Sequence, residues 1–380
     1  MKARLVALVL TGAMASVTAT TLAQSAPAGG GATAASLSIP RAARSAESAA
    51  ALAPHNAAIN AFISAKVKAL LGDDAAARTE ARDAIIAEAP ANGATPIYMR
   101  TYAMALDSAL QPALANANPV AKLNLAITVA RVAERAGNTQ LAGITRQLLK
   151  DPSDAIVLWG MKAAQAIVPV LAVTPLDANL PLIGEVVASA KAHNTSWIVD
   201  EAYLALNLSK AGSSVTPPMV TAVLPHVQDL LAHRVGQYAD GIPPLPGADN
   251  RATAFLVQSS VWSAMTEAQR LAAVQSMTNL LNGASKQYAA KQEARGELSP
   301  LIKQTGRAFW VVASNVGNAP MQKASEVVSA TNPASTPADV NGAVSGLLTA
   351  TVAVPAFSKL KISGGNAATQ PAATALSVGE

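Results

Sequence analysis

A polar capping residue followed at once by proline recurs along this chain, at Thr95-Pro96, Asn118-Pro119, Asp151-Pro152, Thr216-Pro217, Ser299-Pro300 and Thr336-Pro337. Each pair is a helix-start signal with a mechanism. The polar side chain accepts a hydrogen bond from an orphan N–H of the first turn, and proline occupies the next position, where its missing N–H loses nothing and its fixed φ suits a helix. Asp154 and Asp339 add an acid at the third helical position, where the helix dipole favours it. Thr266-Glu267-Ala268-Gln269 is a capping box without proline. Gly72, Gly137, Gly212, Asn282-Gly283 and Gly296 follow helical runs as stop signals.

Composition agrees. Of 380 residues, 51% are hydrophobic but only 3% aromatic and 13% charged, and alanine makes up the difference. Alanine is the best helix former and lets helices approach closely, whereas a sheet wants β-branched and aromatic residues. In 96–110, Met99, Tyr102, Ala103, Leu106 and Leu110 share one face. In 120–136, Asn124, Thr128, Arg131 and Arg135 form a narrow polar stripe, as expected of a helix flanked on both sides. The nearest approach to a strand, Leu347 to Val354, also reads as the end of the preceding helix.

The first residues have the pattern of an export signal. Lys2 and Arg4 are its positive region, Leu5 to Val17 its apolar stretch, and Thr21-Leu22-Ala23 its small-residue cleavage site, so residues 1–23 are expected to be removed after Ala23. Residues 24–53 read as a flexible Ala/Gly/Ser/Pro leader, 54–236 as a helical repeat region and 237–250 as a Pro/Gly-rich loop. Residues 251–362 read as a second helical region and 363–380 as a disordered tail. Ala155 to Val173 is apolar enough to suggest a membrane span, but Lys162 and Gln165 interrupt it and Pro169 is expected to break it, so it reads as a core helix. Pro225 is expected to kink or split the run 217–237. With no cysteine there is no disulfide, lipobox or thiol nucleophile, and burial alone must stabilise the fold.

Helix breaks at these intervals make helix pairs recur about every 35 to 45 residues, the period of helical-hairpin repeats. Gly137-Asn138-Thr139 leads into a helix ending Leu148-Leu149-Lys150, and Asp151-Pro152-Ser153-Asp154 then opens the apolar helix through Trp159. This resembles HEAT or armadillo repeats. Gly72 to Pro90, with Ala77, Ala81 and Ala84, is similar to a tetratricopeptide second helix, without that family's large aromatics and with its proline displaced. The resemblance implies an all-α fold of stacked antiparallel helical hairpins, an α-solenoid.

Catalytic signatures are missing from the sequence: no phosphate loop, no His-Glu-x-x-His, no Gly-x-Ser-x-Gly elbow and no calcium loop. His226, Asp229 and His233 share a helix face, yet the two histidines lie two turns apart, about 10.5 Å along the axis, too far for one metal on a straight helix. Glu293 and Glu297, one turn apart, read as a solvated face. Trp159, Trp197, Trp262 and Trp310 sit in apolar helical contexts and are expected in the core rather than in a sugar cleft, and Met99, Met104, Met161 and Met265 as core filler rather than the lining of a lipid cavity. No catalytic, cofactor-binding or metal-ligating residue is assigned, and no cofactor. The net charge of +5, two of it from Lys2 and Arg4, is mixed along the chain and does not make the basic face that nucleic acid needs. The expectation is a periplasmic or secreted, non-enzymatic scaffold that binds another protein through helices near 95–235 and the proline-rich loop, with no membrane span once the signal is gone. An α/α-barrel carbohydrate enzyme and a carrier of an apolar small molecule or lipid are the alternatives.

Overall fold

The computed structural model describes residues 38–89, 93–136, 139–173, 181–211, 215–243 and 245–362, and among them the chain is all-helical, without strands. The export signal, the tail, Gly137 and Gly212 lie outside the described residues. Two short helices, α1 (Arg41–Arg44) and α2 (Ala49–Leu52), precede α3 (Asn56–Leu71), α4 (Ala75–Glu88), α5 (Pro96–Asn116) and α6 (Pro119–Ala136). There follow α7 (Ala142–Leu148), α8 (Asp154–Val173), α9 (Pro181–His193), α10 (Ser196–Ala205) and α11 (Pro217–Asp240). The chain continues with α12 (Asp249–Val257), α13 (Ser259–Ala264), α14 (Glu267–Ala290), α15 (Arg295–Asn315), α16 (Ala319–Ser329) and α17 (Pro337–Val352).

The expected caps form at several helix starts. Thr95 Oγ1 accepts from the Tyr98 N–H, Asn118 Oδ1 from Ala121 and Thr336 Oγ1 from Asp339. Thr266 and Gln269 bond reciprocally, and Gly72 ends α3. Others act differently. Asp151 accepts from the Ser153 N–H in a turn, and α8 starts two residues later than the Asp-Pro pair implies. Ser299-Pro300 and Gly296 lie inside α15, which begins at Arg295.

Asn282-Gly283 does not stop α14. A Cβ on Gly283 would lie 3.0 Å from the Tyr238 Cβ, so this glycine serves the close approach of α14 to α11. Pro169 and Pro225 are both absorbed within unbroken helices. Burial along both helices outweighs the lost backbone bond, which costs about 3 kcal/mol in an isolated helix.

Two expected boundaries shift. The leader is packed from Ser38 onward, with Ile39, Ala43, Ala46 and Leu52 buried. It is fastened where the Thr95 N–H donates to the Arg44 carbonyl, Thr95 Oγ1 donates to that of Ala46, and Arg44 pairs with Glu88 at 2.6 Å. The Pro/Gly-rich loop loses both its ends, because α11 runs to Asp240 and a 3₁₀ turn, Pro246–Ala248, leads into α12.

The core runs through every long helix. α3 packs on α4 and α5, α4 on α6, α5 on α7, α6 on α8, α7 on α9 and α8 on α10. Further along, α9 packs on α11, α10 on α12, α11 on α14, α12 on α15 and α14 on α17. Most of these helices therefore touch the next but one in the chain. α8 is long and apolar enough to cross a membrane, and here it buries Ile156, Val157, Met161, Ile167, Val168 and Leu171 among its neighbours.

Candidate functional site

The tryptophans divide unexpectedly. Trp262 is core, but Trp197 is 71% exposed, Trp310 is 42% exposed and Trp159 is half-buried. Their apolar neighbours in sequence face inward, while the indoles project from the outward face of each helix; sequence context reports the helix's surroundings and not which side a given residue takes.

Trp159 forms one wall of a hollow of about 210 Å³ between α6 and α8, shared with Arg131, Glu134, Lys162 and Gln165 over a floor of Ala130 and Ala166. The Arg131 guanidinium carbon lies 5.6 Å from the indole centroid and the Lys162 Nζ 6.0 Å, within cation–π reach. Each cation has an anionic partner: Arg131 donates to Glu134 at 2.9 Å and Lys162 to Glu201 at 2.5 Å. The Gln165 amide also donates to Glu201. Glu201 thus holds Lys162 and Gln165 in place before any ligand arrives. The alanine floor explains why the hollow exists, since larger side chains at 130 and 166 would fill it.

A second concavity, about 540 Å³, lies between α3 and α5, with Asn56, Asn60, Ser64, Thr101 and Ser108 on its walls and Met104 at 49% exposure. A smaller hollow sharing Ser64 and Ala109 continues it along the same two helices.

The histidines do not converge. Asp229 turns to Lys191 at 2.7 Å, and His233 lies 3.4 Å from the Gln237 amide. Among the described residues no group of three or more His, Asp or Glu side chains is arranged to hold a metal. Glu293 and Glu297 are exposed. Met161 and Met265 are buried in the core, Met99 is half-buried, and these methionines do not meet at one cavity.

Sequence reasoning passed over the most buried polar cluster. Arg234 and Asp249 are both fully buried and joined at 2.9 Å, and the Tyr203 and Tyr238 hydroxyls each donate to the carboxylate at 3.2 Å. Arg234 also donates to the carbonyl of Leu245, a non-glycine residue at φ 46°. Burial pushes the Asp249 carboxyl up, against Arg234, and pushes both phenols well above their ordinary value. With Arg234 and Asp249 fully buried, this cluster ties Leu245 to α10, α11 and α12. Its only local signal is the i, i+4 spacing of Arg234 and Tyr238, which both reach Asp249.

The chain matches no protein-family model, no curated protein and no solved structure.

Proposed function

We propose that this chain is an exported, non-enzymatic α-solenoid of HEAT- or armadillo-like helical hairpins that binds another protein in the cell envelope. The observation that carries the reading is the next-but-one packing. Up to α12 it sorts the helices into two rows, α3–α5–α7–α9–α11 and α4–α6–α8–α10–α12, which continue by steps of three to α14 and α17 and to α15. A quasi-one-dimensional stack packs in this way, each unit touching chiefly its neighbours. Polar cross-links keep the same interval: Arg146–Glu185, Asp154–His193 and Lys162–Glu201 are each 39 residues apart, and Lys191–Asp229 is 38. α3 packs on α4, α5 and α6, and α17 on α14 and α16, a pattern that favours an open stack over a closed α/α-barrel. Exposed Trp197 and Trp310 are the residue type enriched at protein interfaces. The pattern of residues 1–23 supports export.

In-cell cross-linking with mass spectrometry tests this reading. We expect one recurrent envelope protein linked to lysines of the α6–α10 region, lost in Trp197→Ala. A chain that yields only internal cross-links would reject it.

A further inference from the structure

We propose that the hollow beside Trp159 binds one ring of a neutral saccharide, and that Trp197 is a platform for a further ring of the same oligosaccharide. This goes beyond the protein-binding reading and does not depend on it.

The chemistry of the hollow selects the ligand by elimination. An anion would be met by Glu134 and Glu201, which already occupy the two cations, and a cation would be met by Arg131 and Lys162. An apolar side chain would strip water from all these groups and return no hydrogen bonds. A neutral ring bearing hydroxyls does neither. Its hydroxyls accept from Arg131, Lys162 and Gln165 and donate to Glu134, while its C–H groups lie against the part of the indole that lines the hollow. At about 210 Å³ the hollow falls below the usual 300–1,000 Å³ of small-molecule sites, so it takes one ring rather than a whole oligomer.

The second platform follows from the register of the helices. His193, the last residue of α9, bonds to Asp154, the first residue of α8, at 2.6 Å, so α9 runs back along α8. α10 starts where α9 ends and therefore runs in the same sense as α8. Lys162 of α8 meets Glu201 of α10. Trp159 lies one turn before Lys162 and Trp197 one turn before Glu201, which sets the indoles at one level on neighbouring helices, whose axes pack about 8–10 Å apart. A linear oligosaccharide laid across α8 and α10 reaches both.

Isothermal titration calorimetry of the full chain tests this against neutral tetrasaccharides of glucose, N-acetylglucosamine, mannose and galactose, with the matching monosaccharides, an oligogalacturonate and an acidic peptide as comparators. We expect at least one neutral tetrasaccharide to bind. Trp197→Ala should weaken that tetrasaccharide about tenfold and leave the monosaccharide unchanged. Glu134→Gln, whose exposed position spares the fold, should weaken both, and Trp159→Ala should abolish both with the helical circular dichroism retained. Should Trp159→Ala unfold, Trp159→Phe and Glu134→Gln carry the test. Three results overturn the proposal: no neutral tetrasaccharide binds, only the oligogalacturonate or the peptide binds, or binding is indifferent to these substitutions.

Discussion

Arg234 and Asp249 lie 15 residues apart across the loop that the sequence marks as irregular, and that distance hides the pair from any local pattern. Each is the other's main compensation for leaving water, so removing one strands the other. Asp249→Ala should therefore destabilise the protein by about 3–5 kcal/mol, read as a lower urea midpoint. Exposed Lys150→Ala, which trims a surface pair with Glu185 at 2.9 Å, should shift it by less than about 1 kcal/mol. Equal effects would show that the cluster is not dry.

Burial holds the His226 imidazole below its ordinary value, with Asp229 opposing; burial, then Lys191 and Arg234, depress His233. The unfolded chain protonates these histidines near 6.5 and the folded chain only at lower pH. The stability they contribute is thus complete above that value and is lost as pH falls below it. Urea midpoints measured between about pH 8 and pH 5 should fall on acidification, and His226→Gln with His233→Gln should flatten the fall.

At the scale of elements, capping chemistry is the part of the fold that the sequence carries most openly, because a cap is a contact within four residues. Thr95 shows it at full strength. It accepts from the Tyr98 N–H at 3.3 Å and donates to the Ala46 carbonyl at 2.6 Å, so one side chain starts α5 and holds down the segment before α2. Thr95→Ala should cost about 1–2 kcal/mol, and Thr95→Ser should restore most of it in a thermal melt.

Glycines are less legible, since the same residue ends a helix or admits a neighbour, and only the distant neighbour decides. Gly283 answers to Tyr238, 45 residues earlier. Gly306 in α15 is similar: a Cβ there would lie 2.9 Å from Val328 Cγ1 and 3.0 Å from the Ser329 backbone nitrogen of α16. Alanine at an exposed helical position would gain up to about 1 kcal/mol over glycine, while overpacking costs about 1–3 kcal/mol. Gly306→Ala should therefore lower stability; a rise in its melting temperature would mean that α15 and α16 are not so close.

Over the whole molecule, helicity was legible, because apolar period and punctuation set it. Which faces stay open was not. Trp197 and Trp262 both sit in apolar stretches of sequence, yet one is 71% exposed and the other 5%. The difference arises from which neighbours α10 and α13 acquire, and residues far along the chain supply those neighbours.

The proposed stack, whose units touch chiefly their neighbours, should also unfold in parts, because each interface adds its own share of stability. Leu347 is fully buried in α17, whose partners are α14 and α16. In Leu347→Asp, a charge without a partner enters that end alone. Hydrogen exchange followed by mass spectrometry should then show lost protection across α14–α17 with α3–α8 unchanged from the parent protein. A closed, globally cooperative domain would instead lose protection everywhere by the same free energy, and that result would exclude the open stack.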